Sequence, residues 1–343
     1  MKAAVYHGPH DIRVESVPEP EDPASGEVVL EVVRAAICGT DSSEWAHGPI
    51  LARPPVVLGH EFVGRVSAVG DGVEGLAIGD RVVSGAGVSC GRCAWCLAGR
   101  TNLCAEYYTL GLHVDGGLAE LVKTPASICR LVPDACSDDA AAIAQPLAVA
   151  LHAVRRSGVT AGQTCAVIGI GGIGAFIIAG AAARGAAPII ALDIDGDRLE
   201  TAHRLGADEA VDVRGRDITQ AILDATGGEG ADVVIEASGA PHAPAAAFAA
   251  ARRGGRVLLV GLQSAPREIN LTAMTVREVE VATTLAHVCD VDLPESLGIL
   301  ATTTLAETVL GRVIPLDLLV DEGIRPLAEH TARGKIVIDP RGS

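Results

Sequence analysis

Four cysteines fall within fifteen residues: Cys90-Gly91-Arg92-Cys93-Ala94-Trp95-Cys96, then Cys104. In the spacing C-x2-C-x2-C-x7-C, four thiolates can close a tetrahedron around Zn²⁺ and leave no open position. Such a site shapes a lobe, here about residues 88–106, and performs no chemistry. An iron–sulfur cluster is the other reading of four thiolates. Its usual run has other spacings and a Pro after the last Cys, whereas Ala105 follows here. A second constellation is Ile37-Cys38-Gly39-Thr40-Asp41 with Gly59-His60-Glu61. It offers a thiolate, an imidazole and a carboxylate, donors that suit Zn²⁺. Taken singly, Cys38 also reads as a buried core thiol and His60 as a satisfied core histidine.

A third motif, Gly169-Ile170-Gly171-Gly172-Ile173-Gly174, fits G-x-G-x-x-G. It follows an apolar strand pattern and opens a helical one, the context that a dinucleotide turn requires. Gly169 permits the turn, Gly171 lets backbone N–H groups approach a pyrophosphate, and Gly174 lets helix and strand pack closely. The helix N-terminus then faces the phosphate charge. The next strand, Ile189-Ile190-Ala191-Leu192-Asp193, ends in an acid 19 residues past Gly174. A carboxylate there would bond the ribose 2′-OH and repel a 2′-phosphate, which favours NAD over NADP. Arg198 is close enough in sequence to accept a 2′-phosphate. Val260 and Leu262 complete the expected cofactor contacts.

The elements that must position these residues divide into two patterns. The first third is β-rich, with strand-like Ala3–Tyr6, Glu27–Val33, Val56–Val69 and a turn plus strand at Gly79–Val83. Many short, Gly-punctuated strands suggest a barrel-like domain. Ala140–Arg156 is helical in composition. Strands and helices then alternate from Thr164 to Val260, which predicts a parallel sheet with right-handed crossovers. A helix pattern at Glu295–Thr302 and an apolar strand at Lys335–Ile338 follow, the strand returning to the first domain. The fold class is α/β: a β-rich domain from residues 1–147 and 287–343, and a doubly wound dinucleotide domain from 148–286.

Composition agrees with a packed, two-domain chain. It has 343 residues, 49% of them apolar, and 27 Lys+Arg against 43 Asp+Glu, a net charge of −16. That acidity leaves no electrostatic footprint for nucleic acid or anionic lipid. The uncharged run Cys165–Ala183 reads as strand, turn and helix rather than a membrane span, because glycines interrupt it. Met1–Asp22 turns acidic and Pro-rich with no apolar stretch, so a cytoplasmic location is expected. In that compartment nine cysteines are not a disulfide framework.

Together these segments resemble the zinc-dependent medium-chain alcohol/polyol dehydrogenases over essentially the whole chain. The likeness rests on Cys38-Gly39-Thr40-Asp41, Gly59-His60-Glu61, Gly79-Asp80-Arg81-Val82, the four-cysteine lobe, Gln145-Pro146-Leu147, the Gly169–Gly174 turn and Asp193. Trp45–Gly48, Gly116–Glu120 and Gln145–Ala153 look most like the sorbitol and 2,3-butanediol dehydrogenase branch. The resemblance implies a GroES-like catalytic domain built from both chain ends, with a Rossmann domain inserted. It implies that Cys38 and His60 hold a catalytic zinc and that Glu61 ligates it or exchanges with water. It implies Thr40 as the first station of a proton relay, and Asp41 as support for the zinc ligands. It also implies a homodimer or homotetramer acting on a small alcohol or ketone.

Three departures stand out. Gln145 occupies a position where the polyol branch has Glu, so with Cys38 and Glu61 ionised the zinc site carries no net charge rather than −1. That makes the site more electrophilic. The relay's usual His is replaced by Ser42 and Ser43, which leaves His47 or water as the carrier. Leu285-Ala286-His287-Val288 lacks the Arg that helps the sorbitol branch bind its polyol. The reading is a zinc- and NAD-dependent dehydrogenase of a secondary alcohol, diol, polyol or cyclitol. The alternatives are a zinc-independent NADPH reductase of the same fold and a non-catalytic nucleotide-binding module.

Overall fold

A computed structural model describes residues 1–342. The chain forms two compact units, Met1–Ala148 with Val288–Ser343, and Val149–His287.

The first unit is built on strands rich in Val and Ile, whose side chains pack on the pleated surface. In its larger sheet the strands run in the order Cys129–Leu131, Arg81–Ser84, Phe62–Val69, Glu27–Ala36, Lys335–Asp339 and Leu310–Pro315. Leu121–Pro125 pairs with Glu27–Ala36 as well. Val28, Leu30, Val32, Phe62, Val63, Val82, Val122 and Val337 fill the interior. A smaller sheet joins Asp11–Ser16, Lys2–Gly8 and Val56–Val57.

This ladder brings distant residues to one end of three neighbouring strands. Ala35 pairs with Phe62 on one side and Ile338 on the other, and Ala36 pairs with Val337. Beyond the ladder, Ala36 N donates to Glu61 O at 2.8 Å and Ile37 N to Ile336 O at 3.0 Å. Cys38, Glu61 and Lys335 therefore emerge together.

The single strand expected over Val56–Val69 is two strands, in different sheets, broken at Leu58–Glu61. Gly59 makes the break. Its φ is +98°, and a Cβ there would lie 2.6 Å from Leu118 N. The break leaves His60 and Glu61 outside any strand, both buried, with the Glu61 carbonyl still bonded to Ala36 N.

The second unit is a parallel sheet in the order Glu209–Asp212, Ile189–Asp193, Cys165–Ile168, Ala231–Glu236, Ala251–Leu259 and Glu280–Thr283. Helices Gly172–Ala183, Gly196–Arg204, Ile218–Ala225 and Ala243–Ala250 connect its strands. The central strand Cys165–Ile168 is buried at every position, as expected where helices cover both faces. Strand order reverses between Cys165–Ile168 and Ala231–Glu236, the place where doubly wound sheets bind ligands. No helix among the described residues is long and apolar enough to cross a membrane.

Candidate active site and metal centres

Cys38 ends its strand run and caps the helix Gly39–His47. Asp41, fully buried in the first turn, accepts the Cys38 N–H on Oδ2 at 2.9 Å. Its other oxygen lies 3.7 Å from His60 Nδ1. The Cys38 thiol, a His60 ring nitrogen and a Glu61 carboxylate oxygen all lie within 4.8 Å of one another. Thr40 is beside them, with its Oγ1 3.6 Å from Cys38 Sγ. Gln145 is buried in the first turn of the helix Ala144–Ser157. His47 is exposed at the far end of the helix that begins beside Thr40. Seven residues of rise put about 10 Å between them along the axis, too far for direct proton transfer.

The electrostatics of this cluster favour a cation. Burial disfavours a charged His60 ring, yet attraction to Cys38 and Asp41 outweighs it and raises the ring's pKa to about 10. Burial also pushes the Asp41 carboxyl up. His60 Nδ1 is buried with no hydrogen-bond partner among the described residues. A sulfur, a nitrogen and an oxygen donor converging on one point, with negative potential around them, fit zinc. Sequence reasoning missed one member, Lys335. Its Nζ lies 2.5 Å from Glu61 Oε2, with side chains 12% and 2% exposed respectively. Burial works against its charge, but Glu61 and Cys38 hold its pKa up.

Glu44 was missed as well. It sits on the same helix as Thr40 but is fully buried. Its carboxylate accepts N–H groups from Ile50 at 2.8 Å, Leu51 at 2.6 Å and Ala52 at 3.2 Å. Glu44 thereby fixes the loop between the Cys38 helix and the strand that leads to His60.

The four-cysteine lobe has its own centre. One sulfur from each of Cys90, Cys93, Cys96 and Cys104 lies within 4.8 Å of every other. The Cys104 sulfur accepts the N–H groups of Cys90 and Glu106, each at 3.3 Å. The Cys96 N–H lowers the Cys93 thiol to about 6, and the Arg92 N–H lowers Cys90. Burial raises Cys96 to about 11, helped by its contact with Cys93. N–H groups aimed at sulfur favour thiolates, the form that binds zinc.

In the second unit the glycines divide by cause. A Cβ on Gly169, whose φ is +91°, would lie 2.6 Å from Cα and Cβ of Ser238; one on Gly174 would lie 1.9 Å from Gly169 O. Packing explains both. Gly171 and Gly172 have ordinary φ, and a Cβ on either meets nothing within 4 Å. The protein's own packing does not require glycine there, and the open space at the uncapped helix N-terminus fits a pyrophosphate. Ile170 and Ile173 sit within this turn and first helical residues.

Asp193 stands at the expected strand end, but its carboxylate also serves the turn. Oδ2 accepts Ile170 N at 2.6 Å, and Oδ1 accepts Ile194 N and Asp195 N at 2.7 and 3.0 Å. A carboxylate offers about four lone-pair positions, so three are taken. Arg198 Nη1 is 3.9 Å from Oδ2. Val260 N bonds Glu236 O at 2.8 Å, and Leu262 is 82% exposed.

Comparison with known proteins defines the class. A family model described as the alcohol dehydrogenase GroES-like domain matches residues 24–134, and one described as zinc-binding dehydrogenase matches residues 172–300. The chain belongs to the zinc-type medium-chain alcohol/polyol dehydrogenase family and is an oxidoreductase. It is 38% identical to the sorbitol dehydrogenase of Bacillus subtilis, over 82% of this chain and 80% of that one. The solved 2R,3R-butanediol dehydrogenase of Bacillus subtilis superposes with a TM-score of 0.89 at 31% identity, covering 99% of both chains. A Sinorhizobium meliloti protein described as a zinc-binding dehydrogenase and bound to NADP gives 0.90 at 32% identity, also covering 99% of both.

Proposed function

We propose that this chain interconverts a secondary alcohol, of the diol, polyol or cyclitol class, and its ketone, with NAD as the hydride carrier and zinc at Cys38, His60 and Glu61. The observation that carries the reading is the convergence of those three side chains within 4.8 Å. The sorbitol and butanediol dehydrogenases that the chain resembles support the substrate class. Gln145 is the neutral fourth donor, direct or through a water. Zinc would supply Lewis acidity, lowering an alcohol's pKa or polarising a carbonyl, and the nicotinamide ring the hydride acceptor.

The chain's own residues orient and move protons. Thr40 Oγ1, beside Cys38, accepts the alcohol proton and passes its own outward. The distance to His47 favours water as the next carrier. Asp41 braces both ligand-bearing segments through the Cys38 N–H and its position beside His60. Lys335 offsets the Glu61 charge. The second zinc, at the four cysteines, shapes the lobe. Preference for NAD follows from the Asp193 charge, which opposes a 2′-phosphate. Because one solved relative holds NADP, both dinucleotides belong in the test. The reading includes a cytoplasmic homodimer or homotetramer, on family likeness.

The test is a panel of secondary alcohols and diols, with NAD and NADP, read by reduced-nicotinamide absorbance. Zinc-dependent, NAD-preferring oxidation is expected. Activity that survives Cys38→Ala overturns the zinc assignment.

A further inference from the structure

Glu236 ends the strand Ala231–Glu236 and is fully buried. A buried carboxylate persists only where hydrogen bonds hold it. Here one oxygen takes three: Oε1 accepts Ser238 N at 2.8 Å, Ser238 Oγ at 2.7 Å and Gly239 N at 2.9 Å. The other, Oε2, is buried with no hydrogen-bond partner among the described residues. It faces Gly261, where a Cβ would lie 2.7 Å away. The Glu236 carbonyl accepts Val260 N and Gly261 N at 2.8 and 3.0 Å. A single residue thus grips two loops.

A third loop leans on the first of these. Ser238 is the wall behind Gly169, with Cα and Cβ 2.6 Å from any Cβ placed there. On the other side, a Cβ on Gly239 would lie 2.9 Å from Leu262 O. Glu236 therefore sets the spacing between the glycine turn, the Ser238–Gly239 turn and the Val260–Leu262 loop. All three flank the reversal of strand order at the C-terminal edge of the sheet. The glycine motif does not include Glu236, and its place in an apolar strand pattern conceals it.

We propose that Glu236 is a positioning residue for the dinucleotide, acting through Ser238 on the Gly169 turn and through the backbone on Val260–Leu262. The proposal rests on the reading that this unit binds a nicotinamide dinucleotide. Glu236→Gln keeps the shape but weakens the acceptor, since bonds to a charged group are stronger. It also places an amide against Gly261 with no acceptor. Ser238→Ala removes one of the three bonds and leaves the carboxylate.

The experiment is calorimetric titration of the wild-type chain, E236Q and S238A with NADH and NADPH. Alongside it run dinucleotide-free thermal unfolding and steady-state kinetics. E236Q is expected to bind the preferred dinucleotide about tenfold more weakly, the worth of one charge-assisted bond. S238A should show a smaller loss. In both, the dinucleotide KM should rise while kcat holds; the dinucleotide-free Tm of E236Q should fall by on the order of 5 °C, for the buried amide without an acceptor, and both variants stay folded at the titration temperature. If E236Q fails to fold, S238A carries the test by the same criteria. Unchanged affinity in the folded variants, or a fall in kcat with the dinucleotide KM unchanged, overturns the proposal. A wild-type chain that binds neither dinucleotide overturns the functional reading and this proposal with it.

Discussion

Replacing Lys335 with Met takes a buried cation away from Glu61 while keeping most of the side chain's length. The Nζ to Oε2 distance is 2.5 Å, and neither side chain is open to water. Removing one partner of a buried pair is worth about 3–5 kcal/mol, because the other charge is left uncompensated. The metal-free variant bears that loss in full. At about 2–4 °C per kcal/mol for a unit of this size, its unfolding transition should fall by on the order of 10 °C. With zinc bound, the Glu61 carboxylate has a divalent partner and the loss shrinks. Linkage then requires zinc to bind the variant more tightly by the same difference. If about 3 kcal/mol of the loss is recovered, zinc affinity rises by on the order of a hundredfold. Thermal unfolding of metal-free and zinc-saturated protein, with a chelator competition for the zinc Kd, measures both sides. An equal fall in Tm with and without zinc, and an unchanged Kd, would refute the view that Lys335 and a metal ion share Glu61.

Three further outcomes follow from the geometry. Gly169→Ala must strain a φ of +91° and push against Ser238, so dinucleotide affinity measured by calorimetry should drop at least about tenfold. Asp193→Asn turns an amide group toward backbone N–H donors and removes the charge that opposes a 2′-phosphate. Both dinucleotides should bind less well, NAD losing more than NADP; an unchanged ratio contradicts the role of that charge. Glu44→Ala strips the acceptors from Ile50, Leu51 and Ala52 and should lower stability by about 3 kcal/mol, read by thermal unfolding.

The α/β class and the alternating elements from Thr164 to Val260 were legible because short apolar runs alternate with helix-forming segments, amphipathic at Gly196–Arg204 and Ile218–Ala225 and Ala-rich and apolar at Gly172–Ala183 and Ala243–Ala250. The edge strand Glu280–Thr283 was not, since its residues are mostly exposed and carry no apolar alternation. The break at Leu58–Glu61 was hidden in an apolar run; Gly59 was its only signal, and glycine in a strand pattern has several readings. The two converging clusters, Cys38 with His60 and Glu61 and the four cysteines, could be picked out because Cys, His and Glu types announce themselves. Lys335 could not: it lies far along the chain from Glu61, and only the pairing of Lys335–Asp339 with Glu27–Ala36 brings it there. Glu44 looks like a solvated charge on a short helix until its carboxylate is seen turned back onto the loop. Asp193 was recognisable by its place at a strand end, but its bond to Ile170 N depends on how the turn folds over it.

The proposed function requires two zinc ions per chain, one for chemistry and one for shape. Native mass spectrometry of wild type and Cys38→Ala, each purified without chelator, counts them. Two zinc ions per wild-type chain and one in the folded variant are expected. One zinc in the wild type, unchanged by Cys38→Ala, would contradict a metal centre at Cys38, His60 and Glu61.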